Sequence, residues 1–342
     1  MTGTITWVEL TSQPEAWASL IARLEAGTLT LPVDPAAYAE VLLLGSGSSY
    51  YLARAVADWM MRRGFRARAV ASCEVLLDPY ETRPSALKRL AVGFSRSGRS
   101  SELLLANDRL RAAGFDLLGI SCTAGSDLLA QVDHPVLVAE GYEDGLVMLR
   151  SFTAMLIAAQ WLIGSAEDHA ALRRLPEMGR AMLDHAPALR DLAGQRAYDR
   201  FVFLGSGPQH PLTQEAALKV QEMGMATSEA YYSLDYRHGP KGCANADTVV
   251  TLYALSDRGQ GLALARDIRA LEATLIVIGA DAAAYAGIAQ HVVVVDLPDE
   301  AAAAAALLVP AQMFAYFSAM RRGQNPDAPT NLSKVVILQP AL

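Results

Sequence analysis

Glu215, Lys219 and Glu222 stand at i, i+4 and i+7, which puts two carboxylates and an ammonium group on one helix face. A carboxylate held beside a reacting C–H group is a general base. The same spacing also makes a solvated salt-bridge stripe, and the sequence alone leaves both readings open. Sixteen residues after Glu222, Arg237-His238-Gly239-Pro240-Lys241-Gly242 sets a histidine before Gly-Pro, and so in a loop. There it is either a proton donor or part of a structural turn. Two further loops are rich in hydroxyls: Gly45-Ser46-Gly47-Ser48-Ser49 and Ser95-Arg96-Ser97-Gly98-Arg99-Ser100-Ser101-Glu102. The second opens a helix at Leu103. N–H groups at a helix start attract anions, and serine hydroxyls add donors without bulk. A phosphate suits such a place, with Arg96 and Arg99 adding charge; an ordinary serine-rich cap is the alternative. Gly45-x-Gly47 is not a dinucleotide fingerprint, because position 50 is Tyr50, and no G-x-x-x-x-G-K-[ST] occurs. Asn331-Leu332-Ser333-Lys334 brings one more ammonium group near the C-terminus.

The elements that position these residues are written twice. Val41-Leu42-Leu43-Leu44 runs into Gly45-Ser46-Gly47, and Phe201-Val202-Phe203-Leu204 into Gly205-Ser206-Gly207, 160 residues later. Each turn feeds a helix that is expected to end near a glycine, Gly64 or Gly224. Leu90 to Phe94 is matched by Val249 to Ala254, Leu117 to Ile120 by Val277 to Gly279, and Pro135 to Val138 by Val292 to Val295. Short, nearly continuous apolar runs between helical stretches are strands buried on both faces. In the first helix Leu52, Val56, Trp59 and Met60 keep the period of 3.6. The expected fold is α/β: two similar doubly wound parallel-sheet subdomains related by an internal repeat. The expected organisation is an N-terminal helical segment (1–38), a first subdomain (39–170), a second with a helical connector (171–325), and a tail (326–342) closing the active site.

Composition narrows the function. The 342 residues are 52% hydrophobic and carry a net charge of -7, which argues against disorder and against a general nucleic-acid surface. Cys73, Cys122 and Cys243 are far apart and odd in number, which fits a reduced, cytoplasmic protein without a structural zinc site. The start, Met1-Thr2-Gly3-Thr4, shows no signal peptide. Ala301 to Met320 is uncharged and long enough to span a bilayer, but Pro310, Gln312 and Ser318 favour a buried helix. No nucleic-acid or membrane partner is expected.

Together the two Gly-Ser-Gly turns, Ser95-x-Ser97-Gly98-x-Ser100, Glu215-Ala216-Ala217-Leu218-Lys219-x-x-Glu222 and His238-Gly239-Pro240 resemble the sugar isomerase (SIS) family over nearly the whole chain. Tyr236 to Lys241 and Gly323 to Pro329 look like the galactosamine/tagatose-6-phosphate isomerase-deaminase type. Asn331-Leu332-x-Lys334 looks more like the isomerase half of glutamine–fructose-6-phosphate aminotransferase. The resemblance implies flavodoxin-like subdomains and an enzyme acting on a sugar phosphate. It implies phosphate binding at Ser49, Ser95, Ser97 and Ser100, with Gly47 and Arg96 in the same loops. Glu222 would be the base between C1 and C2, Lys219 and Lys334 active-site lysines, and His238 the ring-opening residue donated across a homodimer interface. No metal and no other cofactor is implied. The leading expectation is an isomerase-deaminase turning glucosamine or galactosamine 6-phosphate into a ketohexose 6-phosphate and ammonia. The alternatives are a tagatose-6-phosphate-type ketose/aldose isomerase, a deglycase of sugar-phosphate–amino-acid conjugates, and a non-enzymatic sugar-phosphate sensor. Arg96 and Arg150 depart from the aminotransferase pattern and leave the exact sugar open.

Overall fold

The computed structural model describes residues 2–254, 256–296 and 299–338. The chain forms two compact units. The first comprises Glu15–Asp144, Met148–Arg173 and the tail from Ser333; the second comprises the residues up to Pro14, Gly145–Val147 and Arg174–Leu332.

Two helices open the chain, α1 (Thr4–Thr11) and α2 (Gln13–Glu25). Then come β1 (Glu40–Gly45), α3 (Ser48–Arg62), β2 (Ala67–Ala71), α4 (Ser72–Leu77), β3 (Arg89–Phe94) and α5 (Ser101–Ala112). β4 (Phe115–Ser121), α6 (Asp127–Gln131), β5 (His134–Leu137), α7 (Arg150–Ile163) and α8 (Ala166–Leu172) follow. The five strands form a parallel sheet in the order β2-β1-β3-β4-β5. β1 is buried along its length after Glu40, and β3 along all of it, because helices cover both faces. Leu52, Val56, Trp59 and Met60 of α3 are all buried, as their period requires, and α3 packs on α7. Each such side chain contributes about 1.5–3 kcal/mol by leaving water.

The second unit holds α9 (Leu175–Leu183), α10 (Ala186–Gly194), β6 (Arg200–Gly205), α11 (His210–Gly224), β7 (Thr227–Tyr232) and β8 (Thr248–Tyr253). It continues through α12 (Arg258–Ala270), β9 (Thr274–Gly279), β10 (His291–Val294) and α13 (Ala304–Arg321). Its parallel sheet has the order β10-β9-β8-β6-β7, the first sheet's order read from the other edge. α13 covers the Ala301–Met320 stretch from Ala304 onward. It is buried almost throughout against α9, α10 and α11, as a helix apolar on all sides must be. Among the described residues no helix is long and apolar enough to cross a membrane.

Both helices end near the expected glycines: Gly64 follows α3 with φ 86, and Gly224 is the last residue of α11, after which Met225 takes the left-handed turn at φ 48. Two details differ from expectation. Each sheet has a fifth strand at an edge, β2 beside β1 and β7 beside β6. His238 ends a 3-10 turn, Asp235–His238, rather than an irregular loop.

Candidate functional site

In an open parallel sheet the crevice lies where the chain reverses its direction of winding. In the first unit that is between β1 and β3, whose residues pair in register up to Leu44 and Gly93. The loops leaving Gly45 and Phe94 therefore lie side by side, and these are the two serine loops. Gly47 caps α3 at φ 57 and ψ -128, a conformation closed to side-chain-bearing residues, and turns the chain so that Ser48 and Ser49 begin the helix. In the second loop Gly98, at φ 63, donates its N–H to Ser95 Oγ at 3.0 Å. A Cβ on Gly98 would stand 2.3 Å from Ser126 Oγ. Ser95 Oγ lies 3.4 Å from Ser100 Oγ, and Ser97 Oγ accepts the Arg99 N–H at 3.2 Å. Ser100 is the N-cap of α5, without a side-chain cap bond of its own. Ser46 Oγ donates to Glu102 at 2.9 Å and ties the loops together. Gly47, Ser49, Ser95, Ser97 and Ser100 thus share one sheet edge at the starts of two helices. Arg99 is exposed.

Charged residues border this cradle. Arg96 is buried, and its carbonyl accepts from Ser121 Oγ, Thr123 Oγ and the Cys122 N–H. Its guanidinium reaches Glu143 Oε2 at 3.5 Å and the Lys334 carbonyl at 3.4 Å. Lys334 Nζ donates to the carbonyls of Glu143 at 2.7 Å and Asp144 at 3.0 Å, and the Val336 carbonyl accepts from the Ser101 N–H at 3.4 Å. Lys334 therefore lies with the serine loops, in the first unit. Arg150 donates to the Tyr142 carbonyl. Burial pushes the Cys122 thiol well up, with Glu143 adding to it, so this cysteine is held neutral.

In the second unit α11 carries Glu215 and Lys219, both without exposed side-chain surface, and Glu222, whose side chain is 21% exposed. Lys219 Nζ is 3.1 Å from Glu215 and 2.6 Å from Glu222. Burial lowers the ammonium's pKa, but the two carboxylates outweigh it and the net shift is upward. The solvated-stripe reading is therefore excluded: this is a buried triad with one face of Glu222 open. Glu222 sits at the amino edge of the sheet, where its neighbour Gln221 donates to the Ser228 carbonyl at the start of β7. His238 follows the other end of β7 and is exposed. Six residues of strand, about 17 Å, separate the two ends. The second sheet's own switch point is filled: Gln209, buried, donates to the Ala254 carbonyl at 3.1 Å.

Glu143 and Glu102 bond to the residues of this cradle, and neither was given a role from the sequence. Glu102 lies within the quoted serine loop. Glu143 carries no motif signal, and only its burial as a carboxylate marks it.

Comparison with known proteins gives a consistent picture. Residues 38–164 match the model of the SIS domain. The glutamine–fructose-6-phosphate aminotransferase (isomerizing) of Pyrobaculum aerophilum is 27% identical across 97% of this chain, which spans only 57% of that enzyme's length. A Streptomyces coelicolor protein provisionally named D-galactosamine-6-phosphate deaminase is 29% identical over 94% of this chain and 90% of its own. The crystal structure of glucosamine-6-phosphate deaminase from Thermotoga maritima superposes with a TM-score of 0.81 at 30% identity, covering 98% of this chain and 100% of that one. Tagatose-6-phosphate ketose/aldose isomerase from Escherichia coli shares the fold, with a TM-score of 0.85 at 23% identity, covering 99% of this chain and 97% of that one.

Proposed function

The chain belongs to the SIS domain family, and from that premise we propose that it is a phosphosugar isomerase-deaminase. The proposed reaction converts a 2-amino-2-deoxyhexose 6-phosphate and water into a ketohexose 6-phosphate and ammonia. The observation that carries the reading is the buried Glu215–Lys219–Glu222 triad with Glu222 alone open to solvent. A surface stripe has no need of a fully buried lysine, and a pure sensor has no need of a base. The nitrogen-releasing chemistry named for the Thermotoga and Streptomyces relatives supports the deaminase over simple ketose/aldose isomerisation.

In this reading Ser49, Ser95, Ser97 and Ser100, with the N–H groups at the starts of α3 and α5, take the phosphate, and Arg96 adds charge. Anchoring the phosphate limits the motion of the sugar during the proton transfer. His238, from a second copy in a dimer, protonates the ring oxygen while the C1 hydroxyl gives its proton to water, so that the bond between C1 and the ring oxygen breaks and the free aldehyde forms. Glu222 removes the C2 proton and an enolamine forms. The proton returns to C1, leaving an imine at C2 that water hydrolyses to ketone and ammonia. Lys219 holds the Glu222 carboxylate at 2.6 Å, and Lys334 supplies positive charge from the tail.

The test offers glucosamine 6-phosphate and galactosamine 6-phosphate to the purified protein and measures ammonia and ketose phosphate together. Equal release of both products is expected from at least one sugar, and Glu222→Gln is expected to lower turnover by ~10²–10⁴-fold while phosphate binding persists. Ketose formation from an aldose phosphate without amine would replace the deaminase reading by the isomerase one. Cleavage only of an amino-acid conjugate would make the protein a deglycase, and tight binding with no turnover would make it a sensor.

A further inference from the structure

We infer that Glu143 is a positioning residue for the phosphate cradle: it sets the guanidinium of Arg96 and ties the tail lysine, Lys334, to the same rim. The inference rests on reading the serine loops as the phosphate site. Glu143 has a fully buried side chain and lies between β5 and α7. A carboxylate without water must be matched by donors. Its Oε1 accepts the N–H groups of Leu149 at 2.8 Å and Ser151 at 3.1 Å, at the start of α7. Its Oε2 accepts the Ser151 hydroxyl at 2.5 Å and faces Arg96 at 3.5 Å.

A cap for α7 alone would need none of the other contacts. The Glu143 carbonyl takes Lys334 Nζ, and the Lys334 carbonyl takes the same guanidinium that faces the Glu143 carboxylate. Glu143, Arg96 and Lys334 therefore close a ring that joins α7, the loop after β3 and the tail. The Arg96 main chain is fixed through its carbonyl, and its guanidinium is held separately by the Glu143 carboxylate and the Lys334 carbonyl. Two acceptors on different segments fix the guanidinium plane, and a planar fork bonds phosphate only when its plane is aimed. Within this ring Glu143 acts on the ligand through Arg96 and does not touch it.

The experiment is a double-mutant cycle on binding of inorganic phosphate, read by calorimetry, with Glu143→Gln, Arg96→Gln and the double variant. Each single change is expected to weaken phosphate on the order of tenfold. The double is expected to match Arg96→Gln alone within about twofold, because the two act as one unit. KM for the sugar phosphate should rise in parallel, with kcat within about threefold. Additive losses in the double variant, or unchanged phosphate affinity in a less stable Glu143→Gln protein, would reduce Glu143 to a structural cap and overturn the inference. Should Glu143→Gln fail to fold, Ser151→Ala removes only the 2.5 Å hydroxyl bond. It should weaken phosphate about threefold when Arg96 is present and not in the Arg96→Gln background; loss in both backgrounds overturns the inference. Ser97→Ala with Ser100→Ala separates the two levels. If that pair leaves phosphate affinity unchanged, the cradle reading fails and the positioning role with it. If it weakens phosphate but Glu143→Gln does not, the positioning role alone fails.

Discussion

At the scale of the residue, Lys219 shows how a surface-looking motif becomes chemistry. Its ammonium has no contact with solvent and is held between two carboxylates. A buried charge with its partner removed is costly, whereas the intact group is nearly balanced. Lys219→Met keeps the side-chain volume but leaves Glu215 buried beside an unneutralised Glu222. It should cost about 3–5 kcal/mol in urea unfolding. It should also abolish most turnover, because Glu222 loses the group that orients it. A Lys219→Met protein as stable as its parent would show that the triad is not the buried unit described here. Glu222 has exposed side-chain surface and Glu215 has none, and that difference is why the proposal takes Glu222 and not Glu215 as the base.

At the scale of the element, α8 shows how a short helix is fastened. Ser165 and Asp168 form a capping box, and Asp168 also receives Arg63 from the end of α3. The Arg63 guanidinium in turn lies over the Trp59 ring. The Arg63 hydrogen bond, aided by Ser165 and opposed by burial, holds the Asp168 carboxyl down at about 2. A depressed carboxylate stabilises the fold above its unfolded pKa and ceases to do so as pH falls through the folded one. The contribution is therefore present above about pH 4 and lost toward pH 2, and is worth roughly 2 kcal/mol. Arg63→Gln should cost most of that at pH 7 and little near pH 2; an equal cost at both would refute the linkage. The elements themselves were readable to different depths. β1, β3, β4, β6, β8 and β9 are continuous apolar runs because both faces are covered. β2 and β7 were not legible as apolar runs because Ala67–Ala71 and Thr227–Tyr232 are only partly buried and carry Arg68 and Glu229, which pair with Glu40 and Arg200. The serine loops and the α11 triad were legible because helix spacing and loop chemistry are local. Glu143 was not, since its meaning comes from Ser151, Arg96 and Lys334, none of which adjoins it in sequence.

At the scale of the whole molecule, one topology serves two purposes. The first sheet leaves its switch point lined by Ser49, Ser95, Ser97 and Ser100, while the second closes its own with Gln209. Within the second unit, Glu222 and His238 lie toward opposite ends of β7, and the proposal takes the proton donor from a second copy, as the family resemblance implies. That proposal has a direct consequence. Glu222→Gln and His238→Ala should each be nearly inactive. Mixed and allowed to exchange subunits, they should recover about a quarter of parental activity, since half of randomly exchanged dimers are mixed and each holds one intact site. No recovery, with exchange verified by mass spectrometry, would place both groups in one copy.

The central claim is that Glu222 carries a proton between C2 and C1, and the most direct measurement follows that proton. Turnover in deuterium oxide, with the ketose phosphate product read by mass spectrometry, should show deuterium at C1, because the carboxylate exchanges with solvent between removal and return. In Glu222→Gln this incorporation should fall with turnover by ~10²–10⁴-fold while inorganic phosphate still binds. Deuterium entering C1 at the parental rate in Glu222→Gln would contradict the account.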